Sequence, residues 1–292
     1  MTETLLQDYD NVLEILSNEK ILVFIVENLK RSLKSTGFSN KFIKDLISSL
    51  KTIDDNFFEK HEAELREIYA LGFFQKIVPS YFSEYVIPLI PEANTILDLG
   101  CGTGILAHVL SNNDKFKKIL GIDLNSYPEW KLFKNSKVKF KIVSEAEFPK
   151  IIKTERPEAL TLTWTLHHMD FNSQERYLSY LHDALEKDTK IIILEDSYST
   201  TLQPLKGLDT YRPFMAWDEG DRKNIMFVYC WIANRVLAKR KNVPTPSGFR
   251  SLEDWEITFK KLGYEIDTKL FIGFPEKRDI NTPQSAMVIS VA

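Results

Sequence analysis

The chain reads as an α/β protein built on a mostly parallel sheet covered by helices, and three observations predict this. Short, near-continuous apolar runs alternate with helical patterns from residue 91 onward; the first of these runs ends in three alternating glycines; and residues 1–90 carry helical periodicity with few turn formers. With 292 residues, 43% of them hydrophobic, the chain is long enough to bury a full core.

Residues 1–90 are expected to form an N-terminal helical region, since Leu13, Ile15, Leu16 and then Leu22, Ile25, Val26 and Leu29 recur at spacings of three and four. Within it "STGFSN" supplies a turn, with Ser39 or Asn40 capping the helix that follows. The run "YALGFFQKIVPSYFSEYVIPLI" is unusually aromatic, which fits either packing against a neighbouring layer or a substrate wall.

Strands are then expected at "TILDLG", "ILGIDL", "VKFKIV", "ALTLTW" and "KIIILED". Between the last two, "FNSQERYLSYLHDALEK" reads as an amphipathic helix, with Asn172 and Glu175 as its capping pair and Tyr177, Leu178, Leu181 and Leu185 as its buried stripe. The pattern breaks over about 197–248, where "TTLQPLKGLDTYRPF" reads as loop and "DRKNIMFVYCWIANRVLAKR" as one long helix. An insertion of this length beside the carboxyl edge of a sheet reads as a lid. A helix capped near Ser251 and closed by Gly263, then a strand and the final strand "SAMVISVA", resume the core.

Composition excludes several functional classes. A formal net charge of −3 and a pI near 6.0 argue against a protein whose main partner is nucleic acid, which needs a clustered excess of Lys and Arg. Only two cysteines, Cys101 and Cys230, are present, so neither a disulfide framework nor a CxxC zinc cluster is available. The start "MTETLLQDYDN" is acidic where a signal peptide would be basic, and the longest clean apolar run, "ILVFIV", is too short to span a bilayer. The expected location is the cytoplasm, with no membrane association.

The most informative segment is "LDLGCGTG", which carries Asp98, Gly100, Cys101, Gly102, Thr103 and Gly104. Alternating glycines let the backbone turn sharply and approach a ligand closely. The dinucleotide fingerprint requires a glycine where Ile105 stands, and a carboxylate at Asp98 sits awkwardly beside a pyrophosphate, so a cationic ligand fits better. Asp123, followed by Leu124, ends the second strand, where a carboxylate can accept from both hydroxyls of a ribose; Glu145 follows the third strand and can accept from an adenine amino group.

Together "DLGCGTG", "GIDLN", "SEAEFP", "LTWTLHHM" and "LEKDTKIIILED" resemble, in order and spacing, the class I S-adenosylmethionine-dependent methyltransferases over roughly residues 91–200. The resemblance implies a Rossmann-like, seven-stranded, mostly parallel sheet whose last strand is antiparallel, forming a methyltransferase domain over 91–292. It implies that the Gly100–Gly104 loop packs on the methionine part of S-adenosylmethionine, with Asp98 at the ammonium, Asp123 at the ribose, and Glu145 and the Ala146 backbone at the adenine. Trp164 and the histidines would form the lip between cofactor and acceptor.

His167 and His168 are the candidate catalytic residues, either as a base that removes the acceptor's proton or as pocket wall. In extended chain adjacent side chains point to opposite sides, so the pair makes a poor set of ligands for one metal, and no metal ligand is assigned. Asp170, Glu195 and Asp196 stand where metal-dependent catechol-type relatives bind magnesium, but their pattern departs from it. The turn "LHHM" replaces the "(D/N/S)PP(Y/F/W)" turn of nucleic-acid amino-methylating relatives. The expected activity is therefore methyl transfer to a small or medium organic acceptor; the competing readings are a protein or RNA methyltransferase and a non-catalytic cofactor-binding partner subunit.

Overall fold

The computed structural model describes residues 8–240, 243–275 and 282–291. Most of the acidic start, residues 1–7, and the end of the last strand sequence, Ala292, lie outside the described residues.

Helices occupy the first ninety residues: α1 (Tyr9–Ile15), α2 (Glu19–Thr36), α3 (Asn40–Ser49), α4 (Asp55–Lys60), a π-helical stretch over Leu65–Ile77, and α5 (Val78–Tyr85). Ser39 caps α3 by accepting from Phe42 N at 3.0 Å, the first of the two expected alternatives.

The sheet comprises β1 (Ala93–Leu99), β2 (Phe116–Asp123), β3 (Val138–Ile142), β4 (Ala159–Thr163), β5 (Lys190–Asp196), β6 (Tyr264–Gly273) and β7 (Gln284–Val291), in the order β3-β2-β1-β4-β5-β7-β6. The first five strands pair parallel, and β7 runs antiparallel between β5 and β6. This is the expected seven-stranded, mostly parallel architecture. Helices α6 (Ile105–Ser111), α7 (Phe148–Glu155), α8 (Phe171–Ala184) and α11 (Leu252–Lys261) cover the sheet. Ile96, Leu97 and Leu99 of β1 and Ile191 to Leu194 of β5 have no exposed surface, which is why these strands read as unbroken apolar runs. The strand order reverses direction between β1 and β4, so the carboxyl ends diverge there and leave a crevice.

Two helix readings need correction. Helix α8 is capped by Asp170, not by the Asn172–Glu175 pair: Asp170 is extended (φ −65°, ψ 164°) and accepts from Ser173 N at 2.8 Å, which puts Asn172 inside the first turn. The stretch read as loop contains α9 (Leu208–Met215), despite Pro213. Tertiary burial overrides the proline, because Tyr211 packs on Phe271 and Phe214 on Tyr198 and Phe274.

The long helix also changes character. It begins as α10 (Glu219–Trp231), capped by Asp218, and continues as a π-helical turn over Ile232–Leu237. Helix α10 packs against α1 and α2, with Tyr9 stacked on Trp231 at 5.2 Å, and Phe24 meets Trp217, just before the helix, edge-on. The N-terminal helices and the insertion thus share one apolar layer above the carboxyl edge of the sheet, continuous with the sheet's own core.

Candidate active site

The glycine loop leaves β1 and closes at the start of α6. Gly100, Gly102 and Gly104 all have positive φ (68°, 50° and 82°), the conformation that a side chain resists. Two of them also allow close approach, since a Cβ would meet Thr165 at 2.6 Å from Gly100 and the Phe140 ring at 2.6 Å from Gly104. Over Gly102 no atom lies within 4 Å of such a Cβ, so the middle of the loop faces open space. Trp130 braces the loop from outside: its Nε1 donates to Gly102 O at 2.8 Å while its ring stacks on Phe140.

That open space belongs to a cavity of about 640 Å3. Gly100, Cys101, Gly102, Thr103, Asp123, Leu124, Glu145, Trp164 and His168 line it, so most of the sequence-nominated residues converge. Phe74, Val78 and Phe82 of the aromatic N-terminal run close it from above, and Tyr81 and Phe82 pack on Trp164. A neighbouring cavity of about 750 Å3 shares Thr103, Tyr127 and Arg240 with it. Burial and the Asp123 carboxylate push the Tyr127 phenol up to about 12, leaving it a hydroxyl donor at neutral pH.

Asp123 bridges loop and cavity: one carboxylate oxygen accepts from Gly102 N and the other from Asn125 N, both at 2.9 Å. Glu145 is exposed at the cavity edge, in a short turn whose capping box pairs Ser144 with Glu147; Ala146 is exposed in the same turn.

Four nominated residues do not line the cavity. Gly104 and Ala146 are set back from it, and Asp98 lies beneath the loop with 1% exposure, its carboxylate accepting from Thr161 Oγ1 at 2.8 Å. Burial pushes the Asp98 carboxyl up to about 7, against the lowering effect of the Thr161 hydrogen bond.

The fourth is His167. The adjacent histidines do not lie in extended chain; Leu166–His168 is a 3-10 turn that sets the rings on one side, 4.2 Å apart. The premise that they diverge is therefore corrected. His167, only 2% exposed, directs Nδ1 to Glu195 Oε2 at 2.6 Å, while Nε2 lies 3.6 Å from Cys230 Sγ and 4.0 Å from Asp196 Oδ2. Burial, the largest single influence, lowers the affinity of His167 for its proton, but the Glu195 charge and the contacts with Cys230 and Glu195 together outweigh it and raise His167 well above the ordinary histidine range. His168 Nδ1 faces the Pro244 carbonyl at 2.7 Å, an oxygen that only accepts, so Nδ1 carries the hydrogen and Nε2 the lone pair. Burial, aided by the neighbouring His167, pushes His168 well below its usual range and keeps it neutral. The pair is thus divided: His168 is at the cavity, and His167 is a buried partner of Glu195.

Sequence reasoning missed Glu195 as the partner of His167, Trp130, Tyr127 and Arg240. The acids at the end of β5 were visible as a signal; the loop residues had no periodicity to mark them.

A family profile described as a methyltransferase domain matches residues 72–268. The chain belongs to this family, the class I S-adenosylmethionine-dependent methyltransferases, and is an enzyme that uses S-adenosylmethionine. No curated protein sequence matches it. Among solved structures it is similar to N,N-8-amino-8-demethyl-D-riboflavin dimethyltransferase from Streptomyces davawensis, with 13% identity, a TM-score of 0.52, and coverage of 94% of this chain and 71% of the other. It is also similar to a SAM-dependent methyltransferase from Anabaena variabilis, with 15% identity, a TM-score of 0.49, and coverage of 75% and 85%. A third similarity is to an O-methyltransferase family 2 protein from Planctomyces limnophilus, with 11% identity, a TM-score of 0.48, and coverage of 86% of this chain and 66% of that one. At these identities the likeness concerns the fold alone.

The residues present fit the cofactor on structural grounds. The glycine cradle is open over Gly102, and two carboxylates, Asp123 and Glu145, stand along the same cavity wall. Among the described residues no helix is long and apolar enough to cross a membrane.

Proposed function

We propose that this enzyme methylates a small or medium organic acceptor held under the helical layer, beside the glycine loop. The observation that carries the reading is the single cavity joining that loop, Asp123 and Glu145 to an aromatic wall of Phe74, Phe82 and Trp164 and to His168. A concave, largely apolar pocket with a few convergent polar groups suits a small molecule better than a macromolecular surface.

When bound, S-adenosylmethionine supplies an electrophilic methyl group on a sulfonium. The Gly100–Gly104 backbone would hold its methionine part, Asp123 with Leu124 its ribose, and Glu145 its adenine edge. Asp98 would act from beneath the loop, through the backbone it supports. The residues 9–89 and the insertion at about 197–248 would serve as the cover that positions the acceptor and excludes water. His168, neutral and with Nε2 free to accept, would take the acceptor's proton where the acceptor is a hydroxyl or an amine. His167 would orient the turn that carries His168. The free cysteines Cys101 and Cys230 support a reducing, cytoplasmic location.

Incubation of the enzyme with methyl-labelled cofactor and a pool of small phenolic, amino and heteroaromatic metabolites tests this reading. Label transfer to a low-molecular-weight product is expected. Transfer only to added protein or RNA would overturn the small-acceptor assignment.

A further inference from the structure

The 3-10 turn that brings the two imidazoles together also brings them to Cys230 on α10. One donor atom from each of His167, His168 and Cys230 lies within 4.8 Å of the others. The Nε2 of His167 is 3.6 Å from Cys230 Sγ and 4.0 Å from Asp196 Oδ2. A tetrahedral zinc-like ion, about 2.3 Å from sulfur and about 2.0–2.1 Å from nitrogen, holds those two donors about 3.6 Å apart.

The outer contacts are those of a metal centre as well. Each histidine commits Nδ1 to an oxygen, Glu195 for His167 and the Pro244 carbonyl for His168, which leaves Nε2 as the metal donor on both rings, the ion displacing the Nε2 proton of His167 and the thiol proton of Cys230 to solvent. Glu195 is itself fixed by the backbone N–H groups of Thr165 and Leu166, at 2.8 and 2.6 Å. Asp196 is oriented by Thr282 and Gln284 through its other oxygen. His167 and Cys230 are buried, whereas His168 borders the cavity and opens a route for an ion.

We infer that His167, His168 and Cys230 form a three-ligand binding site, with its fourth position open, for a divalent transition ion of the zinc class at the wall of the reaction cavity. Imidazole and thiolate donors select such an ion over magnesium or calcium. Resting on the proposed role of His168 as proton acceptor, the site has a functional consequence: the ion occupies Nε2 of His168, so metal binding withdraws the base and suppresses turnover.

Titration of the chelator-treated protein with Co2+ tests the site. One equivalent is expected to produce thiolate-to-cobalt charge-transfer absorption with tetrahedral visible bands, displaced by Zn2+. Cys230→Ser removes the charge-transfer band, and His168→Ala weakens binding at least tenfold while keeping it; circular dichroism checks that both variants fold. No spectrum with the folded wild-type protein, or a charge-transfer band that survives in folded Cys230→Ser, would overturn the site. A spectrum with unchanged turnover at saturating Zn2+ supports the site and overturns the base assignment of His168, while binding of S-adenosylhomocysteine, measured separately by calorimetry, reports on the cofactor reading.

Discussion

Glu195 Oε2 lies 2.6 Å from His167 Nδ1, and the other oxygen of the same carboxylate accepts the backbone N–H groups of Thr165 and Leu166. One buried side chain on β5 therefore fixes both the ring and the turn after β4. Neither group exposes more than a few per cent of its side chain, so the pair is isolated from solvent screening, and removing one partner leaves the other buried and unpaired.

Replacing Glu195 by Gln is expected to destabilise the protein by about 3 kcal/mol near pH 6, on the scale of breaking a buried ion pair from one side. The sign of its pH dependence follows from His167, whose pKa is raised in the folded state. Its contribution is fully present below the unfolded histidine pKa of about 6.5 and is lost as pH rises through the higher folded value. The stability gap between wild type and Glu195→Gln, measured by urea denaturation, should be largest below pH 6.5 and narrow in alkaline buffer. A gap that widens with pH would contradict the charged pair.

Asp98 shows the opposite kind of perturbation, an acid raised from 3.8 to about 7 chiefly by burial. As pH rises through that interval the unfolded state releases its proton and the folded state keeps it, so wild type loses stability until about pH 7. Asp98→Asn carries no such cost while keeping an acceptor for Thr161. Denaturant melts should show the variant gaining on wild type, by up to roughly 4 kcal/mol from the linkage relation, between pH 4 and pH 7. Parallel curves would remove the raised carboxyl from the account.

His168→Ala separates a base from a wall. Loss of a general base lowers kcat about 10²- to 10⁴-fold, with S-adenosylhomocysteine affinity within a few-fold of wild type. A wall residue would instead weaken the cofactor and leave kcat nearly intact. Because burial and His167 depress the His168 pKa, the acid limb of the kcat profile should fall below pH 6.5, so turnover should be flat from pH 8 to about 6.5. That limb would move upward only if the histidine were solvated.

The parts of the fold that were legible in the sequence are those with local causes. The β1 and β5 runs are buried on both faces and announce themselves by composition, and the positive φ of Gly100, Gly102 and Gly104 explains why those positions hold glycine. Ser39 and Ser251 cap their helices through bonds three residues away, within reach of a sequence pattern. The misreadings share a different cause. Asp170 outcompetes Asn172 because the chain enters α8 extended at Asp170, and α9 survives Pro213 because distant aromatic rings bury its inner face. The division of labour between His167 and His168 depends on Glu195, 28 positions away, and on Cys230 and Pro244 from the insertion. No local pattern encodes such contacts.

The central claim is that Asp123, tied to the glycine loop through Gly102, holds the cofactor's ribose in the cavity. Calorimetric titration of wild type and Asp123→Ala with S-adenosylhomocysteine tests it most directly. The account predicts one-to-one micromolar binding by wild type and a loss of at least tenfold in the variant, since hydrogen bonds to a charged group contribute about 1.5–3 kcal/mol each, with circular dichroism unchanged. Equal affinity in a folded Asp123→Ala variant would contradict it.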